Sequence, residues 1–218
     1  RDIKKRLLHG GLPENLVAEN FPEKDYAEWM DAFWARDIQE MFRLERRSAF
    51  LKLLEMLMLQ SGGLCELTRM ATPCGVSRQT LVNYLKILEE TGAVHVLRPF
   101  ANNPQREITA MPKVYGFDTG FVCYAKGWRE LRSEDVGLLW EHLVLDELKA
   151  RFASSEIFYW RDKQKHEVDF IVARRGCRPV ALECKWKLQS SDTSNFASFA
   201  SLYPDSRLVV IASDADKP

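Results

Sequence analysis

Three charged side chains lie inside two apolar runs of the segment EVDFIVARRGCRPVALECK, Glu167 to Lys185. The turn between the runs is short and contains Gly176, so the runs are predicted to be antiparallel neighbouring strands. Side chains alternate between the two faces of a strand. We therefore expect Asp169 and Glu183 to lie on one face of the pair, with Lys185 two residues beyond.

A strict two-residue period also divides the apolar residues of the first of these strands. Asp169 and Ile171 are expected on one face, whereas Val168, Phe170 and Val172 are expected on the opposite face. Asp169 is then the one charged residue among the five consecutive strand positions 168–172. A carboxylate among apolar neighbours is unusual in the core of a strand and calls for a chemical explanation.

Adjacent carboxylates such as Asp169 and Glu183 repel each other unless a cation lies between them. Mg²⁺ suits this role because it takes oxygen ligands and retains several water molecules. A lysine such as Lys185 can orient or deprotonate a water at the metal, or stabilise charge on a phosphate. The set therefore indicates hydrolysis of a phosphodiester. Each residue alone has a simpler explanation, since Glu-x-Lys on an exposed strand is usually an ordinary charged pair.

Glu141 adds a third acid from a helical segment, EDVGLLWEHLVLDELKARF. Its spacing to Leu145 and Leu148 aligns it with the apolar stripe of that helix. A carboxylate there needs a partner, and either the metal site or extension of the side chain to solvent provides one. His142 and His166 are expected at the surface or core edge, since Mg²⁺ prefers oxygen ligands.

The segments around these residues predict a small α/β domain. The helix of Glu141 is followed by three strands, a helix and a further strand. Their sequences are EIFYWRD, EVDFIVARR, RPVALECKW, TSNFASFASLY and SRLVVIAS. One helix, a three-strand meander, a helix and a strand form a two-layer α/β unit.

The first half of the chain predicts helices and a β-ribbon. FPEKDYAEWMDAFWARDIQEMF has an aromatic stripe at helical spacing, expected to pack against a neighbouring element. A short helix to about Ala71, a turn with Gly75, and a helix capped by Ser77 and ended by Gly92 follow. The strands AVHVLRPF and PKVYGFD, with the polar loop ANNPQREITAM between them, complete the order of a winged helix-turn-helix.

The second helix of this motif presents polar residues that suit base edges in a DNA major groove: Arg78, Gln79, Asn83 and Lys86. Glu89 and Glu90 follow at once, and winged helices also bind proteins, so both kinds of partner stay open. The acidic segment is flanked by basic residues that would attract phosphates. For those at the tip of the turn, a solvated hairpin is the simpler explanation.

Composition restricts the partners and the compartment. The 218 residues are 46% hydrophobic, and 31 basic residues balance 31 acidic ones. This balance excludes a strongly basic nucleic-acid-binding chain and leaves only local basic patches. Five scattered cysteines without a Cys-x-x-Cys pair, and no signal peptide or membrane-length apolar run, predict a cytoplasmic protein without a membrane partner. The chain opens at Arg1, which suggests a piece of a longer protein.

A helical Glu, a strand Asp and Glu-x-Lys, in GLLWEHLVLDEL, YWRD, EVDF and ALECK, resemble the PD-(D/E)XK nuclease superfamily. Together with GGLPE, DAFWARDI, LRPF and PKVYGFDTG, they resemble the domain of unknown function that follows the AAA-type ATPase core in prokaryotic ATP-binding proteins. The likeness covers nearly the whole chain. Departures from the family pattern are Pro73 in the helix-turn-helix turn, Ala110 for a frequent lysine, and Phe121 for a leucine.

The resemblance implies three parts. Residues 1–40 would be a helical linker ending a missing ATPase core, 41–125 a winged helix-turn-helix, and 126–218 the nuclease-like domain. ATP would bind only in the full-length parent, since no Gly-x-x-x-x-Gly-Lys-Ser/Thr occurs here. The residues at the superfamily's catalytic positions are Glu141, Asp169, Glu183 and Lys185, and Arg161 matches an arginine typical of the branch, expected to contact DNA.

The expected function is therefore a nucleic-acid-directed, nuclease-like part of an ATP-binding protein. In the enzymatic form, Asp169, Glu183 and the carbonyl of Cys184 hold Mg²⁺, and Lys185 positions water. The alternative is a non-catalytic module that binds DNA or a protein on behalf of the ATPase. The sequence leaves the oligomeric state, the substrate and the presence of activity open.

Overall fold

The computed structural model describes residues 3–42, 46–101, 111–188 and 194–214. The chain is a mixed α/β protein, with a helical N-terminal region followed by a region that contains most of the sheet. It divides into two compact units. The first contains residues up to Val96 together with Val114–Leu131, and the second contains Leu97–Lys113 and the chain from Arg132 onward. Among the described residues, no helix is both long enough and apolar enough to cross a membrane.

The first unit is mainly helical. Its elements are α1 (Ile3–His9), α2 (Pro13–Val17), α3 (Glu23–Ala32), α4 (Gln39–Phe42), α5 (Arg47–Leu59), β1 (Gly63–Leu64), α6 (Leu67–Cys74), α7 (Arg78–Glu90), β2 (Val94–Pro99), β3 (Lys113–Gly116) and α8 (Thr119–Lys126). Helix α3 continues through a π-helical segment, Phe33–Ile38, into α4. Strands β1, β3 and β2 are neighbours in that order.

The helix-turn-helix order α6–α7 is present, with one boundary different from the prediction. The hydroxyl of Ser77 accepts a hydrogen bond from the amide of Thr80 at 3.1 Å, which confirms the predicted N-cap. Gly75 has φ +66° and ends α6. That helix runs to Cys74 instead of about Ala71, and Pro73 lies inside it instead of in the turn. Pro73 has no N–H to donate, so the carbonyl of Arg69, four residues earlier, loses its intrahelical donor.

The predicted ribbon strands are confirmed as β2 and β3. The loop between them, 102–110, lies outside the described residues, and so does Ala110. The winged-helix assignment stays a prediction. The aromatic stripe of α3 packs inside the first unit, as expected: Trp29 stacks on Phe117 with ring centroids 4.8 Å apart, and Tyr26 contacts Phe121 edge to face at 4.8 Å.

The second unit consists of a helix, a sheet and a further helix. Its elements are α9 (Asp135–Lys149), a 3₁₀ turn (Ser154–Glu156), β4 (Ile157–Arg161), β5 (Glu167–Val172), β6 (Val180–Lys185), α10 (Ser194–Leu202) and β7 (Arg207–Ala212). In the sheet, the end of β2 is followed by β4, β5, β6 and β7 in that order. β4–β5 and β5–β6 are antiparallel, whereas β2–β4 and β6–β7 are parallel. All the strands and helices predicted for this half are present.

Strand β5 departs from the predicted strict alternation. Phe158 is opposite Ile171 and Trp160 is opposite Val168, so one residue of β4 faces both Asp169 and Phe170. Strand β5 thus has one more residue than β4 at this point. Such an insertion is a β-bulge, and it shifts the alternation of side chains in β5 by one position. Val168 and Ile171, predicted on opposite faces, therefore belong to one buried cluster. Its members are Trp160, Val168, Ile171, Ala181, Phe196 and Phe199.

Candidate functional site

Asp169 lies at the bulge of β5, beside β6. Its Oδ2 accepts a hydrogen bond from the backbone amide of Cys184 at 2.7 Å. Burial raises the pKa of Asp169 well above its usual value, and the nearby charges of Glu141 and Glu183 raise it further. The structure therefore brings the three predicted acids close enough to interact, from α9, β5 and β6.

Glu183 is the most buried acid of this group, with 7% of its surface exposed. Its Oε1 accepts a hydrogen bond from Lys185 Nζ at 2.8 Å. Its Oε2 is also buried but has no hydrogen-bond partner in the described part of the chain. A buried carboxylate oxygen without a donor is costly, so this atom is suited to a cation or a polar ligand.

Lys185 links the acidic site to solvent. Its side chain is 38% exposed while its Nζ contacts Glu183. Burial alone would lower the pKa of Lys185, but the hydrogen bond and the charge of Glu183 raise it above the usual value. The side chain is therefore a protonated ammonium at neutral pH, which suits binding of an anion better than abstraction of a proton.

Lys113 is a site residue that the sequence analysis missed. It begins β3, and its Nζ lies 2.5 Å from Glu167 Oε1 and 3.7 Å from Glu141 Oε1. Burial alone would lower its pKa, but the charges of Glu141 and Glu167 raise it, so the side chain stays charged. The sequence does contain a signal for a site residue at this position. Lys113 interrupts the apolar run of PKVYG just as Asp169 interrupts that of EVDFIV.

Arg161 and Cys184 contact the same group of acids. Arg161, at the end of β4, lies 3.6 Å from Glu167 through its Nε. The thiol of Cys184 has a pKa raised well above its usual value, first by burial and then by the charge of Asp169. Cys184 thus presents a neutral thiol, and its backbone amide binds Asp169. The predicted role of its carbonyl as a metal ligand stays a prediction.

The potential ligand atoms of this site are carboxylate oxygens, which are the type that a hard cation prefers. One of these oxygens is buried without a hydrogen-bond partner in the described part of the chain. Within the described residues, however, no three His, Cys, Asp or Glu side chains are grouped so that they hold a metal ion by themselves. A Mg²⁺ bound here would therefore depend on two carboxylates completed by water or backbone oxygen.

A second polar group lies in the same unit. His166 Nδ1 is 2.6 Å from Asp162 Oδ2 and 3.2 Å from Ser198 Oγ. A serine–histidine–acid triad uses opposite ring nitrogens for the acid and the serine. Both partners here contact the same nitrogen, so the arrangement is a hydrogen-bond network joining the β4–β5 turn to α10.

The predicted DNA-binding residues of α7 lie on its exposed side. Gln79 Nε2 donates to Asn83 Oδ1 at 3.4 Å, and Lys86 lies 3.6 Å from Glu90. The predicted inward residues Leu81, Tyr84, Leu85 and Leu88 are buried. This face presents Arg78, Gln79, Asn83 and Lys86 together. They belong to the first unit, whereas Arg161 belongs to the second.

The fold and the site define a mixed α/β protein of two compact units, one of which contains a buried acidic site. The chain belongs to the family described as "Domain of unknown function (DUF8612)", whose model matches residues 1–132. Residues 136–218 match a second family model, "Domain of unknown function (DUF4143)". The second family is commonly found in AAA-ATPase-associated proteins, which agrees with the context expected from the sequence.

Two mycobacterial proteins are similar to nearly the whole chain. "Uncharacterized protein Mb2031c" of Mycobacterium bovis and "Uncharacterized protein Rv2008c" of Mycobacterium tuberculosis are each 29% identical over 213 residues. The match covers 94% of this chain and 47% of each relative, so the chain spans about half the length of these relatives. No solved structure matches the chain.

Proposed function

We propose that the chain is the nucleic-acid-directed, nuclease-like part of a prokaryotic AAA-type ATP-binding protein, and that its second unit hydrolyses phosphodiesters with a divalent cation. The observation that supports this most is the buried, unpartnered Oε2 of Glu183 beside Asp169 and Lys185. ATP binding belongs to the full-length parent, whose ATPase core is the expected partner of this chain.

In this proposal the side chains of Asp169 and Glu183, with the carbonyl of Cys184, hold Mg²⁺. When bound, Mg²⁺ lowers the pKa of a coordinated water and offsets charge on the phosphate. The exposed part of Lys185 allows its ammonium to bind a phosphate oxygen while it keeps its contact with Glu183. Glu141 adds negative charge next to Asp169 and is itself positioned by Lys113.

Nicking of supercoiled DNA tests the proposal directly. The chain is expected to nick plasmid DNA with Mg²⁺ or Mn²⁺ but not with EDTA. Asp169→Ala removes a ligand and Lys185→Ala removes the phosphate-binding ammonium, so each variant is expected to lose at least about 100-fold in rate. Lys163→Ala is the control, because Lys163 is exposed on the adjacent β4–β5 turn. Equal cleavage by all four proteins would refute the proposal.

A non-catalytic binding module is the second candidate. Two observations favour it: Lys113 already supplies a positive charge among the acids, and α7 presents four exposed polar side chains. In this case the chain would deliver the ATPase to DNA or to a protein without turnover.

Retention of duplex DNA at low salt tests this alternative. Binding is expected to weaken steeply as the salt concentration rises. Arg78→Ala removes a contact to a base edge and is expected to weaken binding about fivefold or more. Arg151→Ala, a change of equal charge at an exposed residue just after α9, is expected to have no effect. Binding that does not weaken with salt would exclude DNA and leave a protein partner.

A further inference from the structure

Lys113 is charged, almost completely buried and surrounded by acids. Its side chain is 5% exposed, and it contacts Glu141 from α9 and Glu167 from β5. Its charge also acts on Asp169. A buried ammonium is stable only with such compensation, so the acids and Lys113 depend on each other.

The position of Lys113 is also fixed by its neighbours. The hydroxyl of Tyr159, in β4, donates a hydrogen bond of 2.5 Å to the carbonyl of Met111, two residues before Lys113. The ring of Tyr159 lies 5.7 Å from Lys113 Nζ. One aromatic residue thus holds the start of β3 in place and faces the ammonium, so Lys113 has little freedom to leave the acids.

The charges of the linked groups nearly balance. Four carboxyl groups are connected by these contacts and by the charges that act on Asp169: Glu141, Glu167, Asp169 and Glu183. Three cationic groups interact with them: Lys113, Arg161 and Lys185. When all of these groups are ionised, one negative charge is left in excess. Among the described residues, Glu183 Oε2 also has no hydrogen-bond donor.

We infer that Lys113 is an internal counterion of the acidic site and that its ammonium opposes the binding of a divalent cation there. The inference rests on the proposed function, since that function supplies the cation. The charge of Lys113 already acts on Asp169, so it also repels a divalent ion bound there, and such repulsion is large where water is excluded. The site would then bind its metal weakly until another event, such as arrival of a polyanionic substrate, offsets the charge of Lys113.

Replacement of Lys113 by methionine keeps most of the apolar stem and removes the charge. Binding of Mn²⁺ to the 218-residue chain is measured by the EPR signal of the free ion. Lys113→Met is expected to bind Mn²⁺ at least about tenfold more tightly than the wild type. Lys163→Met, at an exposed position nearby, is the control and is expected to match the wild type. Addition of Asp169→Ala to Lys113→Met should abolish the gain, which places the ion at the acidic site.

The possible results separate the inference from the proposed function. Equal Mn²⁺ affinity of wild type and Lys113→Met overturns the inference and leaves the metal-dependent function in place. Binding by Lys113→Met alone supports the inference and means that the wild type holds the ion only after another event, such as arrival of a polyanionic substrate. Absence of binding by every protein overturns the inference, and the plasmid-nicking assay then decides the proposed function separately.

A second measurement needs no variant, in case Lys113→Met does not fold. The ¹⁵Nζ signal of Lys113 is followed by NMR in lysine-labelled wild type during titration with Mg²⁺. The Lys113 signal is expected to shift as the ion binds, whereas that of Lys163 stays constant. Saturable Mg²⁺ binding without a shift at Lys113 would overturn the inference.

Discussion

At the scale of single residues, the acidic site depends on how burial and charge act on each carboxyl group. Asp169 is stabilised by one hydrogen bond, from the amide of Cys184. Burial and the charges of Glu141 and Glu183 nevertheless raise its pKa, because each of them disfavours the ionised form. The site is therefore under electrostatic strain, and this strain should be visible in the stability of the protein.

Asp169→Asn is expected to change how stability depends on pH. The pKa of Asp169 in the folded state lies above the unfolded value of 3.8. Between these two pKa values the folded chain holds a proton that the unfolded chain has released, so the free energy of unfolding falls as pH rises. The loss begins near pH 4 and ends above the folded pKa.

Urea unfolding of wild type and Asp169→Asn across pH 4.5 to 8 measures this effect. The asparagine does not titrate but can still accept the bond from Cys184. The stability of the wild type relative to the variant is therefore expected to decrease with pH. A difference that stays constant over the range would show that Asp169 ionises normally.

At the scale of elements, helix α8 is joined to the loop after α1 by one carboxylate. Asp118 is the N-cap of α8 and accepts from the amide of Gly120 through Oδ1 at 2.8 Å. Its Oδ2 accepts from the amide of Gly11 at 2.6 Å. Because Gly10 has φ +74° and lies against Asp118, the loop approaches the helix more closely than a side chain would allow. The GGLPE and DTG segments are thus parts of one contact.

Gly10→Ala is expected to destabilise the protein by roughly 3 kcal/mol or more, since it combines a strained backbone with a steric clash. A Cβ at this position would lie 1.9 Å from Asp118 Oδ1. Gly92→Ala is a matched control, because Gly92 has φ +75° and nothing within 4 Å of the added Cβ. Its expected cost is about 1 kcal/mol, from the left-handed conformation alone. Chemical denaturation of both variants measures the difference, and equal costs would exclude the clash.

At the scale of the whole molecule, the second unit contains a segment that is separated in sequence from the rest of that unit. Leu97–Lys113 belongs to this unit, although the chain from Val114 to Leu131 belongs to the first. The segment supplies the strand that pairs with β4, through Arg98 and Phe158, and it supplies Lys113. The predicted nuclease-like domain, 126–218, lacks both features.

A fragment of residues 126–218 is therefore expected to be unfolded or much less stable than the full chain. Without Lys113, the acids Glu141 and Glu167 lose their internal counterion, and β4 has an unpaired edge. Addition of a synthetic peptide of residues 97–113 is expected to restore structure, measured by circular dichroism and urea unfolding. A peptide of the same composition in scrambled order is the control. A fragment that is as stable as the full chain without the peptide would support the predicted boundary at 126.

The amino-acid sequence by itself determined which elements form and which residues they present. The strands with Asp169, Glu183 and Lys185, the helix with Glu141 and the N-cap at Ser77 all follow from period and capping chemistry, which depend on residues a few positions apart. Only the tertiary structure decided the bulge in β5, the membership of Leu97–Lys113 in the second unit, and the place of Lys113 among the acids. These features depend on packing and charge between segments many residues apart, and such contacts leave no local period in the sequence.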